Sequence, residues 1–411
     1  MSKATKETTE TTQIADKKYL VPFILITSLF FLWGFARAIL DVLNKHFQNA
    51  LHISITHSSL IQVTTYLGYF LMAIPAGIFI NRYGYRRGVV FGLLLFGLGA
   101  LLFIPGASMG SFYAFLLCLF IIGCGLVFLE TAANPYVTEL GAKETATSRL
   151  NLSQSFNGLG SIFATFCIGQ FLFNGTQEGG NVVIPYGILG VLVLLIAFVF
   201  SRVELPEIQH AQTREDKAKG SNISKLFANH KMFVFGLFAL LSYEVAEISI
   251  NSYFINYVTG QGWMEPATAS TVLTVGLGLF MLARFIGAAV MSNIAAEKYL
   301  LICAVGTVAC IAVMLLDMGR NISMAALMMN YFFEAIMFPT IFALTLRGLG
   351  GLTKSASSIL MMTPVGGCGF LLMGYAADHA GNFVLPFFIP LVGYAIVMAY
   401  AWSTVSSTVK K

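Results

Sequence analysis

Stretches of about twenty or more apolar residues, each long enough to cross a hydrocarbon layer roughly 30 Å thick, recur twelve times along this chain of 411 residues. No other feature constrains the fold as strongly. Backbone N–H and C=O groups that face lipid must be satisfied within their own segment, and these runs lack the two-residue alternation of barrel strands, so each is expected to be a helix. The expected spans are 19–43, 57–81, 88–108, 111–138, 149–173, 183–202, 231–258, 267–293, 299–317, 321–346, 355–377 and 382–404. Composition agrees: 57% of residues are hydrophobic and 10% charged, whereas a water-exposed fold needs roughly a quarter charged and disorder needs low hydrophobicity. Soluble and disordered classes are thereby excluded.

Lys and Arg set the expected orientation. With the N-terminal tail inside, twenty of the twenty-four basic residues fall on that side, Lys45 and Arg320 fall outside, and Arg37 and Arg284 lie within helices. The positive-inside rule then puts both termini in the cytoplasm, which requires an even number of crossings. The net charge of +5 belongs to these loop clusters rather than to one polar face, so no nucleic-acid partner is expected. Residues 1–18 are polar and of mixed charge, without the apolar core and cleavage site of a signal peptide. Cys118, Cys124, Cys167, Cys303, Cys310 and Cys368 all lie in apolar segments without CxxC spacing and are expected to be free thiols.

One long polar interruption, 203–230, divides the chain into a bundle over 19–202 and a second over 231–404, flanked by a tail at 1–18 and another at 405–411. The halves repeat weakly. Glu130 and Pro135 correspond to Glu334 and Pro339 at an offset of 204; Arg149 corresponds to Lys354, and Gly169 to Gly374, at 205; Asp41 corresponds to Glu247 at 206. Near-constant offsets across the first, fourth and fifth helices of each half favour a duplicated six-helix unit. The expected fold is an all-α membrane protein, with twelve transmembrane helices in two pseudo-symmetric six-helix bundles.

An ionisable side chain near the bilayer centre costs about 2.5–3.5 kcal/mol on insertion scales, so each one needs a partner, a wet cavity or a task. Seven qualify: Arg37 and Asp41 in helix 1, Glu130 in helix 4, Glu244 and Glu247 in helix 7, Arg284 in helix 8 and Glu334 in helix 10. Six of them fall on helices 1, 4, 7 and 10, which are therefore expected to line a central cavity. Arg37 and Asp41, four residues apart, share a helical face. They form either a static bridge or a pair in which Arg37 holds Asp41 ionised in one state and releases it to a proton in another. Glu130 has no basic neighbour in sequence, and Asn134 follows one turn later; it serves coupling or substrate binding, or else a helix–helix hydrogen bond. Glu247 and Asn251 share helix 7 with Tyr243, Tyr253 and Asn256, a set of amide, carboxylate and aromatic groups that suits a polyol. On helix 5, Asn151, Gln154 and Asn157 form a polar stripe too costly to face lipid. Arg284 reads as a structural gate contact that reaches toward the cytoplasm, and Glu334 equally as a cavity residue or a kink partner of Pro339.

The six histidines show no HExxH spacing, and neither a Walker glycine loop nor a nucleophile elbow occurs. No enzyme activity, no metal and no cofactor is expected, and a proton gradient is the expected energy source. The segment Gly77-x3-Asn81-Arg82-x-Gly84-Tyr85-Arg86-Arg87 resembles the G-x3-D-R-x-G-R-R/K signature of the major facilitator superfamily, with Asn81 in place of the usual acid. Three cations at a tight turn, Arg82, Arg86 and Arg87, make this a candidate gate. Phe30-Phe31-Leu32-Trp33-Gly34 leading to Asp41, Leu129-Glu130-Thr131-Ala132-Ala133-Asn134-Pro135, Arg149-Leu150-Asn151-Leu152-x-Gln154-x-Phe156-Asn157, Phe338-Pro339-Thr340-Ile341-Phe342 and Asp378-x-Ala380-Gly381-Asn382 are together similar to the fucose/galactose/glucose:proton symporter family. The resemblance implies proton coupling through Asp41 and Glu130 and sugar contacts at Gln154 and Asn157. Where that family commonly carries an Asn-rich stretch before the aspartate, this chain has Ala36-Arg37-Ala38-Ile39-Leu40. The run from Glu247 to Ile250 looks more like the glucose/galactose branch.

The expected activity is proton-coupled uptake of a hexose by alternating access across the cytoplasmic membrane, by a functional monomer. L-fucose leads, with galactose, glucose or an amino sugar as alternatives. Arg37, Asn134, Gln154, Asn157, Glu247, Asn251 and Glu334 are the expected binding residues. A facilitator or exporter on the same fold, and a sugar sensor that moves nothing, remain the competing readings.

Overall fold

The computed structural model describes residues 20–140, 146–173, 182–203, 222–291, 294–349, 352, 356 and 359–409. The tails at 1–18 and 410–411, most of the 203–230 connection and Lys354 of the proposed repeat lie outside these residues. In the first half, α1 spans Leu20–Leu51, α2 Leu60–Tyr83, α3 Tyr85–Leu101, α4 Phe112–Glu139 and α6 Val183–Arg202. Between α4 and α6, α5 begins as Ala146–Phe163 and continues through a π-helical turn, Ala164–Ile168, into Gly169–Phe173. In the second half, α7 spans Lys231–Gly260, α8 Pro266–Val290 and α9 Ala296–Leu315. Helix α10 comes in two pieces, Arg320–Glu334 and Met337–Leu346; α11 spans Phe370–Ala380 and α12 Phe388–Val409.

Eleven helices among the described residues are long and apolar enough to cross a membrane. The span expected at 355–377, eleventh in order, is instead a 3-10 segment, Thr363–Gly369, leading into the short α11. Its residues explain the departure. Pro364 withholds a backbone donor, and a Cβ at Gly366 would lie 2.8 Å from Glu244 and from the Val245 nitrogen, so this stretch runs tight against α7. The first helix is longer than expected, because Asn44, His46 and Gln48 look like an interfacial end but are buried at 0%, 4% and 8% exposure.

Small residues set the helix spacing. In membranes, close packing replaces the hydrophobic drive between helices. Gly123 lies directly on the Thr65 backbone, and a Cβ would fall 2.6 Å from the Gly92 carbonyl at Gly125 and 3.0 Å from the Cys118 carbonyl at Gly99, which fastens α4 to α2 and α3. Two glycines of the repeat do matching work between the bundles: Gly169 of α5 abuts Ser270 of α8, and a Cβ at Gly374 of α11 would fall 3.0 Å from the Ile55 carbonyl.

The end of the molecule at which α1 begins, with Leu20, is called here the terminal end. At the opposite, far end the bundles are joined. Asp378, at the close of α11, accepts hydrogen bonds from the backbone N–H groups of Ile55 (3.2 Å) and Thr56 (2.7 Å) and from the Thr56 hydroxyl (2.5 Å). Gln170 donates to Thr271 at 2.8 Å, Thr165 and Thr274 share a bond of 2.8 Å, and the Ser270 hydroxyl donates to the Thr165 carbonyl at 2.5 Å. These hydrogen bonds between the bundles lie toward the far end. The cations of the Arg82 turn stay within the first bundle: Arg86 donates to the carbonyls of Phe200 and Ser201, Arg82 lies over the Tyr83 ring, and Arg87 is exposed. The side chain of Asn81 lies outside the described residues.

The break in α10 follows from one residue. Pro339 has no N–H to offer the carbonyl four positions back, that of Ala335. Arg284 of α8 supplies the missing donor, its Nε reaching the Ala335 carbonyl at 3.2 Å, while the guanidinium lies 4.8 Å from the Phe280 ring centroid. Sequence suggested a side chain that reaches toward the membrane surface as a gate contact; the structure turns Arg284 inward, because a carbonyl without a donor inside the bundle is the stronger attractor.

Two outcomes test these joints. Asp378→Ala should weaken far-end closure by about 1 kcal/mol, roughly five-fold in population. Spin-label distances between the helix ends near Thr56 and Asp378 measure it, and an unchanged distribution would show the contact to be idle. Arg284→Ala should destabilise the purified protein by about 1–3 kcal/mol by stranding the Ala335 carbonyl. Adding Pro339→Ala should recover much of that loss, because it restores the backbone donor. Additive effects in this double-mutant cycle of thermal unfolding would remove the proposed link.

Candidate functional site

The site forms where α1 meets α7 at mid-height. Arg37 does not bridge to Asp41, as their spacing allowed. Its Nη2 pairs across the bundle boundary with Glu247 at 3.2 Å and lies 3.6 Å from Glu244, while its Nε donates to the Tyr66 hydroxyl at 3.1 Å. Spacing of four residues permits contact within a helix, but two carboxylates on the opposing helix offer more charge. Glu247 is held at both oxygens, since Asn251 donates to its Oε1 at 3.0 Å. Asp41 takes a different partner, the hydroxyl of Ser252, which donates to it at 2.6 Å. Ser252 in turn accepts from Gln62 at 3.0 Å. Two polar rungs therefore connect α1 to α7, one ionic and one neutral on the α7 side.

Exposure falls along this interface. The Arg37 side chain is 32% exposed, Asp41 is 9% exposed and Asn44 is fully buried. The cleft is thus reached from the terminal end and sealed toward the far end. Glu130 of α4 is half-buried in this region, with no hydrogen-bond or ion-pair partner among the described residues. On α5, Gln154 donates to the Asn134 side-chain oxygen of α4 at 3.3 Å, which brings the polar stripe against the Glu130 segment. Asn157 is partly committed elsewhere: it donates to the Phe30 carbonyl of α1 at 3.3 Å. That bond fixes α1 against α5, where Gly34 lies on the Asn157 backbone.

Glu334 does not join the cleft. It is fully buried inside the second bundle, where its Oε2 accepts from Asn330 at 2.8 Å and from the Tyr394 hydroxyl. Its repeat partner Glu130 faces the cleft, so the duplication preserved the residue type and not its surroundings. The kink reading fits Glu334 better, since its own carbonyl, at the α10 break, accepts from Tyr243 at 3.4 Å.

Sequence reasoning missed Tyr66, Gln62 and Ser252. An uncharged Gln in the apolar run of α2 was a readable signal, whereas Ser252 was not, because a single hydroxyl in a helix usually bonds its own backbone. The cleft holds carboxyl groups, amides and one guanidinium within an apolar surround. Such a set can hydrogen-bond a polyhydroxylated guest, and its carboxyl groups can exchange protons. It contains no arrangement for covalent chemistry, and among the described residues no three His, Cys, Asp or Glu side chains are grouped to hold a metal.

The chain is similar to known transporters over nearly its whole length. It is 35% identical over 397 residues to a glucose/galactose transporter of Brucella abortus biovar 1 (strain 9-941), covering 94% of each chain. It is 34% identical over 413 residues to the L-fucose-proton symporter of Escherichia coli (strain K12), covering 94% of this chain and 93% of that one. The structure of FucP, the fucose:proton symporter of E. coli, in the outward conformation matches with a TM-score of 0.72 at 33% identity, covering 94% of this chain and 99% of that chain. The family model of the Major Facilitator Superfamily matches residues 26–363. With twelve expected crossings, a cleft between two bundles and this match over most of its length, the chain belongs to the Major Facilitator Superfamily.

Proposed function

We propose that the protein is a proton-coupled importer of a hexose, working as a monomer in the cytoplasmic membrane. L-fucose leads the candidates, with galactose, glucose and an amino sugar behind it. The observation that carries this reading is the pairing of Arg37 with Glu247 across the bundle boundary, beside Asp41 and facing an unpartnered Glu130. Names of the relatives support sugar as the cargo, and one of them supports the proton.

If the termini are cytoplasmic, as the distribution of Lys and Arg requires, the structure is the inward-facing state. Opening the far end pulls α7 away from α1. Arg37 then loses Glu247 and Glu244, and Asp41 loses Ser252; these two groups, four residues apart on α1, become each other's nearest counter-charge. A proton arriving from outside neutralises Asp41 or Glu130 and frees Arg37 to return to α7. Sugar bound against Gln154, Asn134, Glu247 and Asn251 satisfies polar walls that would otherwise face each other dry, so the loaded transporter closes outside and opens inside.

Asp41→Asn and Glu130→Gln should each abolish gradient-driven accumulation in proteoliposomes. The variant of the residue that carries the proton should still exchange labelled sugar between the two sides. Uphill uptake retained in both variants would defeat the coupling assignment. Flux indifferent to an imposed pH gradient would mark a facilitator, and binding without flux a sensor. Competition of a labelled hexose by fucose, galactose, glucose and N-acetylglucosamine ranks the cargo.

A further inference from the structure

One guanidinium at the α1–α7 boundary faces two acids. Arg37 Nη2 lies 3.2 Å from Glu247 Oε2 and 3.6 Å from Glu244 Oε2. The first contact is a hydrogen bond and the second is too long to be one. Glu247 is served at both oxygens, since Asn251 donates to its Oε1 at 3.0 Å. Among the described residues no hydrogen bond reaches Glu244, whose Oε2 is fully covered. Glu244 is also the more enclosed of the two, its side chain 4% exposed against 13% for Glu247.

The 3-10 segment before α11 closes over this acid: a Cβ at Gly366 would fall 2.8 Å from the Glu244 Cβ. The charged groups within electrostatic reach of Glu244 are Arg37 of α1, Glu247 of its own helix, Glu130 of α4 and Arg284 of α8. The other titratable side chains on the elements packed around it have partners elsewhere. Tyr66 of α2 accepts from Arg37, Tyr243 donates to the Glu334 carbonyl, Tyr394 of α12 to the Glu334 carboxyl group and Cys368 of the 3-10 segment to the Val63 carbonyl. Three acids thus share the region with two cations, and full ionisation would leave one negative charge unmatched. A buried charge without a partner is strongly destabilising, and like charges in one site favour a proton on one of them. Enclosure and the lack of any hydrogen bond single out Glu244, since Glu130 is only half-buried.

We propose that Glu244 and Glu247 form a proton-binding pair on the second bundle, with Glu244 carrying the proton in this state. Hydrogen bonds from Arg37 and Asn251 favour the charged form of Glu247, and nothing comparable favours a charge on Glu244. The two acids stand three residues apart, on one helical face. When Arg37 leaves with the first bundle, the carboxyl O–H of Glu244 donates to Glu247 and the pair shares the proton. Return of Arg37 ends that sharing and weakens the hold on the proton, because a cation beside an acid favours its ionised form. The pair therefore loads while the far end is open and unloads toward the terminal end. This site is separate from Asp41 and Glu130 and stands on the contacts above; its part in coupling rests on the transport reading.

The test is infrared difference spectroscopy of the purified full-length protein against Glu244→Gln, both near neutral pH. The variant is expected to lose carbonyl-stretch intensity of a protonated carboxyl group, equivalent to a single side chain, with the carboxylate bands unchanged. Loss from the carboxylate bands instead, with the carboxyl band intact, would overturn the site. If Glu244→Gln fails to fold, Glu244→Met takes its place, and failure of both neutral variants would also overturn the site, because the negative charge would then be required. Hexose accumulation in proteoliposomes under an imposed pH gradient is measured in parallel and is expected to be lost in the folded variant. Accumulation undiminished beside a lost carboxyl band removes Glu244 from coupling and leaves the proton in place. A wild-type protein that moves no hexose sinks the transport reading without touching the infrared result; proton-driven uptake with an unchanged carboxyl band does the reverse.

Discussion

A guanidinium placed halfway along a membrane helix must find its counter-charge inside the protein, because hydrocarbon supplies none. Arg37 finds it on the other bundle, at Glu247 and Glu244. That single choice of partner ties α1 to α7 and leaves Asp41 to the hydroxyl of Ser252. It also makes the cleft electrically dependent on the relative position of the two halves. Moving the bundles apart cannot leave these charges as they are, so conformation and ionisation are linked by electrostatics before any substrate arrives.

Close backbone approach makes such a link reachable. Gly34 and Gly160 seat α5 on α1, and Gly169 and Gly374 let the bundles meet at the far end. Where the backbone is not continuous, side chains replace the lost donors. Arg284 serves the carbonyl stranded by Pro339, and the 3-10 segment before α11 lets Gly366 and Gly369 lie against α7. Irregular backbone of this kind is tolerated at membrane depth only where protein surrounds it or it lines a cavity. Both breaks fall in the second bundle on helices next to α7, which carries Glu244 and Glu247.

Much of this was legible in the residues. Spans were readable because lipid demands length and apolarity of each segment separately, and α6 and α9 needed no neighbour to be recognised. Asp41, Glu130 and Glu247 stood out because an acid in such a run has few tolerable surroundings. Partner choice was less accessible. Arg37 and Asp41 looked like a pair on one helix; Glu334 looked like the counterpart of Glu130 but is closed off by Tyr394 and Asn330. Asn157 looked like a wall of the cavity and is partly a strut to α1. The end of α1 was misplaced because Asn44, His46 and Gln48 resemble an interface when read alone, and are buried by helices distant in sequence.

By itself, then, the sequence determined the helical membrane architecture and the inventory of expensive side chains, since each of these answers to a cost borne locally by one segment in lipid. The tertiary structure alone decided which charges meet, which carboxyl group is left unpaired, and at which end the two bundles touch. Those outcomes depend on competition between partners contributed by separate helices. Electrostatic energy follows distance in three dimensions, and separation along the chain does not constrain it once the helices have packed.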